Sequence, residues 1–231
     1  MTEQIKRVQI AVPTGELGNP VRGQLERSGL DFTVDEKRNL IEVRNMGVDM
    51  LRIRPGSVPY FVMSDKTRTK AGITGGDILW NAGLKEQGVS LSGIPNEGTL
   101  FIGVTKSLRE RVMAESGREP SRDDLAGSMV VTKFPRIAKE VFADTVDILE
   151  MAGSTEAAQY AIYGCEGILD ITAKGNAVRA NQLHVVEKLM DPVDVRLIQQ
   201  PGLSSFEERI IADFTGRLLE TKQDKRYPVY A

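Results

Sequence analysis

A chain of 231 residues, 41% hydrophobic and 27% charged, has the make-up of an ordinary globular protein, with room for one large domain or two small ones. Its 30 basic and 32 acidic residues leave a net charge of −2, which argues against the broad basic footprint of a nucleic-acid or anionic-membrane binder. A single cysteine, Cys165, excludes an internal disulfide, and a single histidine, His184, excludes a multi-histidine metal centre within one chain. Any metal is expected to be oxygen-bound, as magnesium carried in with phosphates is, and no metal-ligating side chains are assigned. No apolar run reaches the roughly 18 residues of a membrane span. The opening MTEQIKRVQIAV lacks the apolar core and cleavage site of a secretory signal, so a cytoplasmic location is expected.

Strand and helix signals alternate along the chain. Arg7 to Val12 predicts a strand, closed by the turn Pro13-Thr14-Gly15. Pro20 to Ser28 predicts a helix, with Pro20 near its start and Gly29 as a stop. Leu40 to Val43 and Val48 to Ile53 predict strands, the second stopped by Arg54-Pro55-Gly56, and Val58 to Met63 a short helix. Ala71 to Thr74 predicts a strand, with Asp77 placed to cap a helix over Ile78 to Asn81. Leu100 to Thr105 predicts the next strand, and the polar Glu115 to Asp124 a surface loop. Then follow a strand (Ser128 to Thr132), a helix (Pro135 to Phe142), a strand (Val146 to Glu150) and a helix (Thr155 to Ile162) behind Ser154.

The stretch GILDITAKGNAVRANQL, Gly167 to Leu183, carries the most chemistry. It predicts a buried strand (Gly167 to Ile171), a small-residue loop (Thr172 to Ala177) and a helix from Val178 to Met190 that includes His184. A loop between a strand's carboxyl end and a helix start presents unpaired backbone N–H groups, and the helix dipole adds partial positive charge. That is a phosphate cradle, although such a loop is also often only a turn. A strand over Val193 to Ile198 and a helix over Phe206 to Lys222 complete the pattern, with Ser204 or Ser205 as cap and Ser205 at capping-box spacing from Glu208. Strands separated by helices predict an α/β architecture with mostly parallel sheets, either one doubly wound sheet or two smaller lobes.

Several segments resemble one family, in its own order. MVVTKFPRIAKEVF (Met129 to Phe142) resembles the "ATKYP…YF" segment of ATP phosphoribosyltransferases, the first enzymes of histidine biosynthesis. EMAGSTEAAQ (Glu150 to Gln159) is similar to that family's "NGSVELAP", and GILDITAKGNAVRANQL to "AIVDLVSTGTTLRANGL", its phosphoribosyl pyrophosphate segment. RIRPGSVPYFV, GITGGDIL and VQIAVPTGEL resemble "VRPKDVPTYV", "GIVGKDVL" and "LRIALPKGRL".

The resemblance implies two α/β lobes, similar to type II periplasmic binding proteins, with a cleft between them. The first lobe would hold residues 1–100 and 185–231, and the second 101–184. After Ile198 only one helix and a tail remain, which implies the short form that works with a histidyl-tRNA-synthetase-like regulatory subunit in a homo- or hetero-oligomer. The implied reaction joins N1 of ATP to the ribose C1 of phosphoribosyl pyrophosphate, releases pyrophosphate and uses Mg²⁺ with the phosphorylated substrates. No covalent nucleophile is needed, in keeping with the lack of a Ser/His/Asp or Cys/His constellation.

The implied catalytic pair is Glu156 and Asp170. Asp170 with Thr172, Ala173, Lys174, Gly175, Asn176 and Ala177 would bind phosphoribosyl pyrophosphate. Thr14, Gly15, Glu16, Arg54, Lys133 and Arg136 would meet ATP or pyrophosphate. The residues alone leave Arg54, Lys133 and Arg136 open as solvated surface charges, and Glu156 as a helix-dipole partner.

The departures from the pattern are specific. Ala173 to Ala177 (Ala-Lys-Gly-Asn-Ala) stand where Ser-Thr-Gly-Thr-Thr is usual, Thr14 and Glu16 where Lys and Arg are usual, and Gly76 where a Lys is usual. They admit two alternatives: a sister phosphoribosyltransferase of specialised purine-nucleoside metabolism, or a non-catalytic ligand-binding or regulatory paralogue.

Overall fold

The protein is described by a computed structural model over residues 6–220. It folds as two compact units. The first comprises the described residues up to Leu79, Glu86–Pro95 and the segment from Asp194 onward; the second comprises Trp80–Lys85 and Asn96–Val193.

In the first unit, β1 (Val8–Pro13) begins a six-stranded sheet that also holds β2 (Leu40–Val43), β3 (Val48–Ile53), β4 (Thr69–Gly75), β5 (Val89–Ser90) and β11 (Val195–Gln199). The order is β2-β3-β1-β4-β11-β5. β1 pairs in parallel with β3 and β4, while β2, β11 and β5 are joined by antiparallel pairings. The near-continuous apolar run of β1 suits a central strand covered on both faces. Those faces pack against α1 (Gly18–Arg27), α2 (Val58–Met63) and α8 (Ser205–Glu220), with Phe214, Ile10, Met50 and Ile73 fully buried. Gly72 lets α2 lie close on β4, because a Cβ there would fall 2.5 Å from Val58 Cγ1. The expected end of α8 at Lys222 lies outside the described residues.

The short α3 (Gly76–Asn81) leads towards the second unit. There β6 (Thr99–Val104), α4 (Lys106–Ser116), β7 (Met129–Thr132), α5 (Pro135–Phe142), β8 (Asp147–Glu150), α6 (Ala158–Ala161), β9 (Cys165–Thr172), α7 (Asn176–Ala180) and β10 (His184–Met190) follow in chain order. The sheet runs β10-β6-β9-β7-β8, with β9, β7 and β8 parallel and β6 antiparallel to both β9 and β10. Both sheets are thus mixed rather than mostly parallel: the first has a parallel centre, and the second has its parallel strands, β9, β7 and β8, at one side.

Three local expectations change. The helix expected over Val178 to Met190 stops at Ala180; Gln182 takes a positive φ of 54°, and His184 begins a strand. A β-branched run at Val185-Val186 favours that outcome, and the strand pairs antiparallel with β6, on the far side of β6 from β9. The helix expected over Thr155 to Ile162 is instead a 3-10 turn (Thr155–Ala157) running into the one-turn α6. α4 arises where the sequence pattern is largely charged; the Thr105 hydroxyl caps it from 3.3 Å, and Gly117 ends it at a φ of 69°. At α8 it is Ser204 that caps, its N–H and hydroxyl both reaching Glu207 (2.8 and 2.7 Å). No helix among the described residues is long and apolar enough to cross a membrane.

Candidate active site

In each unit the sequence-selected residues sit at the carboxyl ends of parallel strands, where open α/β sheets place their ligands. In the second unit they converge on Asp170, near the end of β9. Its side chain is only 10% exposed, which demands partners. Oδ1 accepts from the Ile171 N–H at 2.7 Å and from Lys133 Nζ at 2.7 Å, and Oδ2 accepts from the Thr155 hydroxyl. Lys133 follows β7, whose last residue, Thr132, donates its hydroxyl to Leu169 O at 2.7 Å and accepts the Phe134 N–H at 2.8 Å. These bonds fix the β7 end against β9, and with it the root of the Lys133 side chain.

A cavity of about 20 Å³ lies beside this carboxylate, lined among others by Thr155, Glu156, Asp170, Thr172 and Ala177. Four sequence-selected positions thus share one wall, although they lie in two separate segments. The loop itself, Ala173 to Asn176, bends through Gly175 at a φ of 64°, a conformation that L side chains rarely adopt. The Gly175 N–H is taken by the Thr172 hydroxyl at 3.0 Å, so this donor is spent inside the loop. Asn176 accepts from the Arg179 guanidinium through its side-chain oxygen. Because α7 is a single turn, its dipole is small.

Arg136 is not drawn to Asp170. Its backbone N–H meets Asn81 Oδ1 at 3.1 Å, its Nε lies 3.3 Å from Glu140 Oε1, and its guanidinium covers Gly83. The Trp80 indole N–H donates to the same carboxylate at 2.5 Å; with Arg136 it holds the Glu140 carboxyl below its usual range. Trp80 is itself buried. Cys165 is buried as an apolar side chain would be, and burial pushes its thiol pKa up.

In the first unit, Thr14, Gly15, Glu16 and Arg54 share one end of the sheet, because Pro13 and Ile53 are register partners at the ends of β1 and β3. Thr14 turns its hydroxyl onto Ile53 O at 3.2 Å. Gly15, Glu16 and Arg54 are exposed.

The family model described as ATP phosphoribosyltransferase matches residues 54–220. The chain belongs to the ATP phosphoribosyltransferase family. It is 31% identical over 201 residues to the ATP phosphoribosyltransferase of Caldicellulosiruptor saccharolyticus, covering 83% of this chain and 88% of that one. It is 27% identical over 205 residues to that of Methanopyrus kandleri, covering 87% and 68%. In fold it is similar to the ATP phosphoribosyl transferase (HisG:HisZ) complex from Thermotoga maritima, with a TM-score of 0.68 at 21% identity, covering 93% of this chain and 97% of that one.

As a member of the ATP phosphoribosyltransferase family, the chain is a phosphoribosyltransferase of the first step of histidine biosynthesis. The match covers every second-unit residue selected above and Arg54; Thr14, Gly15 and Glu16 lie outside it. Sequence reasoning missed Thr155, fully buried, with its hydroxyl on Asp170. A threonine after Ser154 signals a helix start, and nothing local announces a partner 15 residues away.

Proposed function

We propose that the second unit binds phosphoribosyl pyrophosphate at Asp170 and the Thr172–Ala177 loop, and that ATP supplies N1 of its adenine to C1 of that sugar. The observation that carries the reading is the shared cavity wall of Glu156, Asp170, Thr172 and Ala177 beside the Lys133–Asp170 pair. Asp170 has lone-pair capacity left for a ribose hydroxyl, because three donors occupy three of about four acceptor sites. The N–H groups at the start of α7 meet the 5′-phosphate. Glu156, half-buried on the same wall, adds negative charge where the ribose ring becomes oxocarbenium-like.

N1 attacks C1 as the bond from C1 to the pyrophosphate oxygen breaks, with inversion, and the pyrophosphate takes the electron pair. Rate comes from positioning two polyanions and from charge placed around C1, and no covalent enzyme intermediate is involved. In the first unit, the Thr14–Glu16 turn and Arg54 serve the nucleotide; in the second, Arg136 serves pyrophosphate or ATP through its exposed guanidinium.

Divalent metal belongs to the family's chemistry. Among the described residues no group of three or more His, Cys, Asp or Glu side chains is placed to hold a metal ion, so a protein cage does not fit. Mg²⁺ would instead come in with phosphoribosyl pyrophosphate, where it would neutralise charge on the pyrophosphate leaving group. A histidyl-tRNA-synthetase-like regulatory subunit, an oligomeric assembly and a cytoplasmic setting complete the reading. The test mixes the protein with phosphoribosyl pyrophosphate, ATP and Mg²⁺, with and without such a subunit, and follows product absorbance and pyrophosphate. Turnover in either arm is expected; phosphoribosyl pyrophosphate binding with silence in both arms overturns the acceptor assignment.

A further inference from the structure

We propose that Thr155 is a positioning residue for the sugar-binding carboxylate: its hydroxyl holds Asp170 in the orientation that receives the ribose. The inference rests on the reading of Asp170 as the ribose acceptor.

The geometry separates the two carboxylate oxygens. Oδ1 is held by two donors, the Ile171 N–H and Lys133 Nζ, each at 2.7 Å. Oδ2 accepts from the Thr155 hydroxyl. Without that bond the carboxylate pivots about its Oδ1 contacts, and Oδ2 loses a fixed direction. With it, the remaining lone pair of Oδ2 is aimed, and both Thr155 and Asp170 line the cavity. Thr155 suits this task in itself. It is fully buried, so its hydroxyl needs an acceptor, and its branched Cβ restricts the rotamers through which the hydroxyl can swing.

The chain's own departures give the contact its meaning. In the family-like segment "NGSVELAP" a valine stands where this chain has Thr155. Threonine and valine have nearly the same volume, so the change exchanges one methyl for one donor beside a buried carboxylate. The phosphate loop meanwhile lacks most of the hydroxyl side chains of the family pattern, from Ala173 to Ala177. Binding strength given up at the 5′-phosphate is thereby recovered at the ribose, by a carboxylate ordered in advance.

Equilibrium titration of the full chain tests this, with magnesium phosphoribosyl pyrophosphate and with ATP as separate probes. Thr155→Val is expected to weaken the sugar ligand about tenfold, as loss of a hydrogen bond to a charged group does, with ATP binding within about twofold of the parent. Thr155→Ser, which keeps the hydroxyl, is expected to recover most of the loss. Unchanged sugar binding in Thr155→Val, equal weakening of both ligands, or a Thr155→Ser variant as weak as Thr155→Val overturns the proposal. Should Thr155→Val fail to fold, Thr155→Ala carries the same expectation. Asp170→Asn separates the two layers. If it leaves sugar binding unchanged, the ribose site itself is misplaced; if it weakens binding while Thr155→Val does not, only the positioning role falls.

Discussion

The strand-to-helix turns of the two units are built on different plans. In the second unit, the β9 end is centred on a buried carboxylate with three protein donors, and the following loop is braced by the Thr172–Gly175 and Arg179–Asn176 bonds. In the first unit, the β1 end turns its one hydroxyl back onto Ile53 O and leaves Glu16 exposed before a helix with no side-chain cap. The second plan fixes side chains before a ligand arrives. The first offers mainly backbone donors, with an anionic side chain beside them. On the reading proposed above, the sugar phosphate would meet a preordered wall and the nucleotide a turn of backbone donors; both turns depart from the family pattern, at Ala173 to Ala177 and at Thr14 and Glu16.

The largest expected effect removes the centre of the ordered wall. Asp170→Asn keeps the shape but loses the charge that Lys133 and the Thr155 hydroxyl face. We expect kcat/KM to fall by about 100-fold or more, corresponding to about 2.7 kcal/mol, mostly through the phosphoribosyl pyrophosphate term. Steady-state kinetics with each substrate varied in turn checks this. A loss confined to the KM for ATP would break the contrast between the units.

How much of this was legible beforehand differs by element. β2, β3, α2 and α5 have the boundaries that apolar patterning and Pro/Gly punctuation predict. The sequence around β10 reads as helix because its turn, Asn181 to Leu183, is short and carries no Gly or Pro; pairing with β6, a long-range contact, decides for strand. α4 carries little apolar patterning, because only Leu108 and Val112 of its face are buried. In the candidate site, strand ends and loop were visible as a pattern, and Glu156, Asp170, Thr172 and Ala177 do share a cavity. The side-chain partners differ in legibility: Arg136 with Glu140 is an i,i+4 pair within the predicted helix, whereas Lys133 meets Asp170 only through the folded positions of β7 and β9.

A smaller effect is expected from giving the first unit back its cations. Thr14→Lys with Glu16→Arg places positive charge at the N-terminal end of α1, where nucleotide phosphates would gain from it. We expect ATP to bind about five- to tenfold tighter at low salt, with the gain shrinking as ionic strength rises through the range where the Debye length falls to about 8 Å. The double change should also cost about 0.3–1 kcal/mol of stability, since an acidic residue at a helix start is lost. Isothermal titration across a salt series reads both the gain and its screening. Unaltered ATP binding at every salt concentration would remove this turn from the nucleotide side.

The smallest effect comes from the other end of β9, and it asks whether any well-bonded carboxylate in the second unit would behave like Asp170. Glu166 sits near the start of the same strand, where Arg111 grips it at 2.7 and 2.8 Å and the Ser128 hydroxyl donates at 2.7 Å. The Arg111 bond, with help from Ser128, holds its carboxyl below the usual glutamate range against the cost of burial. A group depressed in this way stabilises the fold above its unfolded pKa, and the contribution fades as pH falls through that value towards the lower folded one. Glu166→Gln is therefore expected to lower stability by about 1 kcal/mol at pH 7, and the gap to the parent should close on acidification below about pH 4. Thermal melts at both pH values measure the gap, and titration with phosphoribosyl pyrophosphate should find affinity within about twofold of the parent. If Glu166→Gln weakens the sugar ligand as much as Asp170→Asn does, the effect belongs to the strand's integrity, and the distinction between a scaffold carboxylate and a binding one fails.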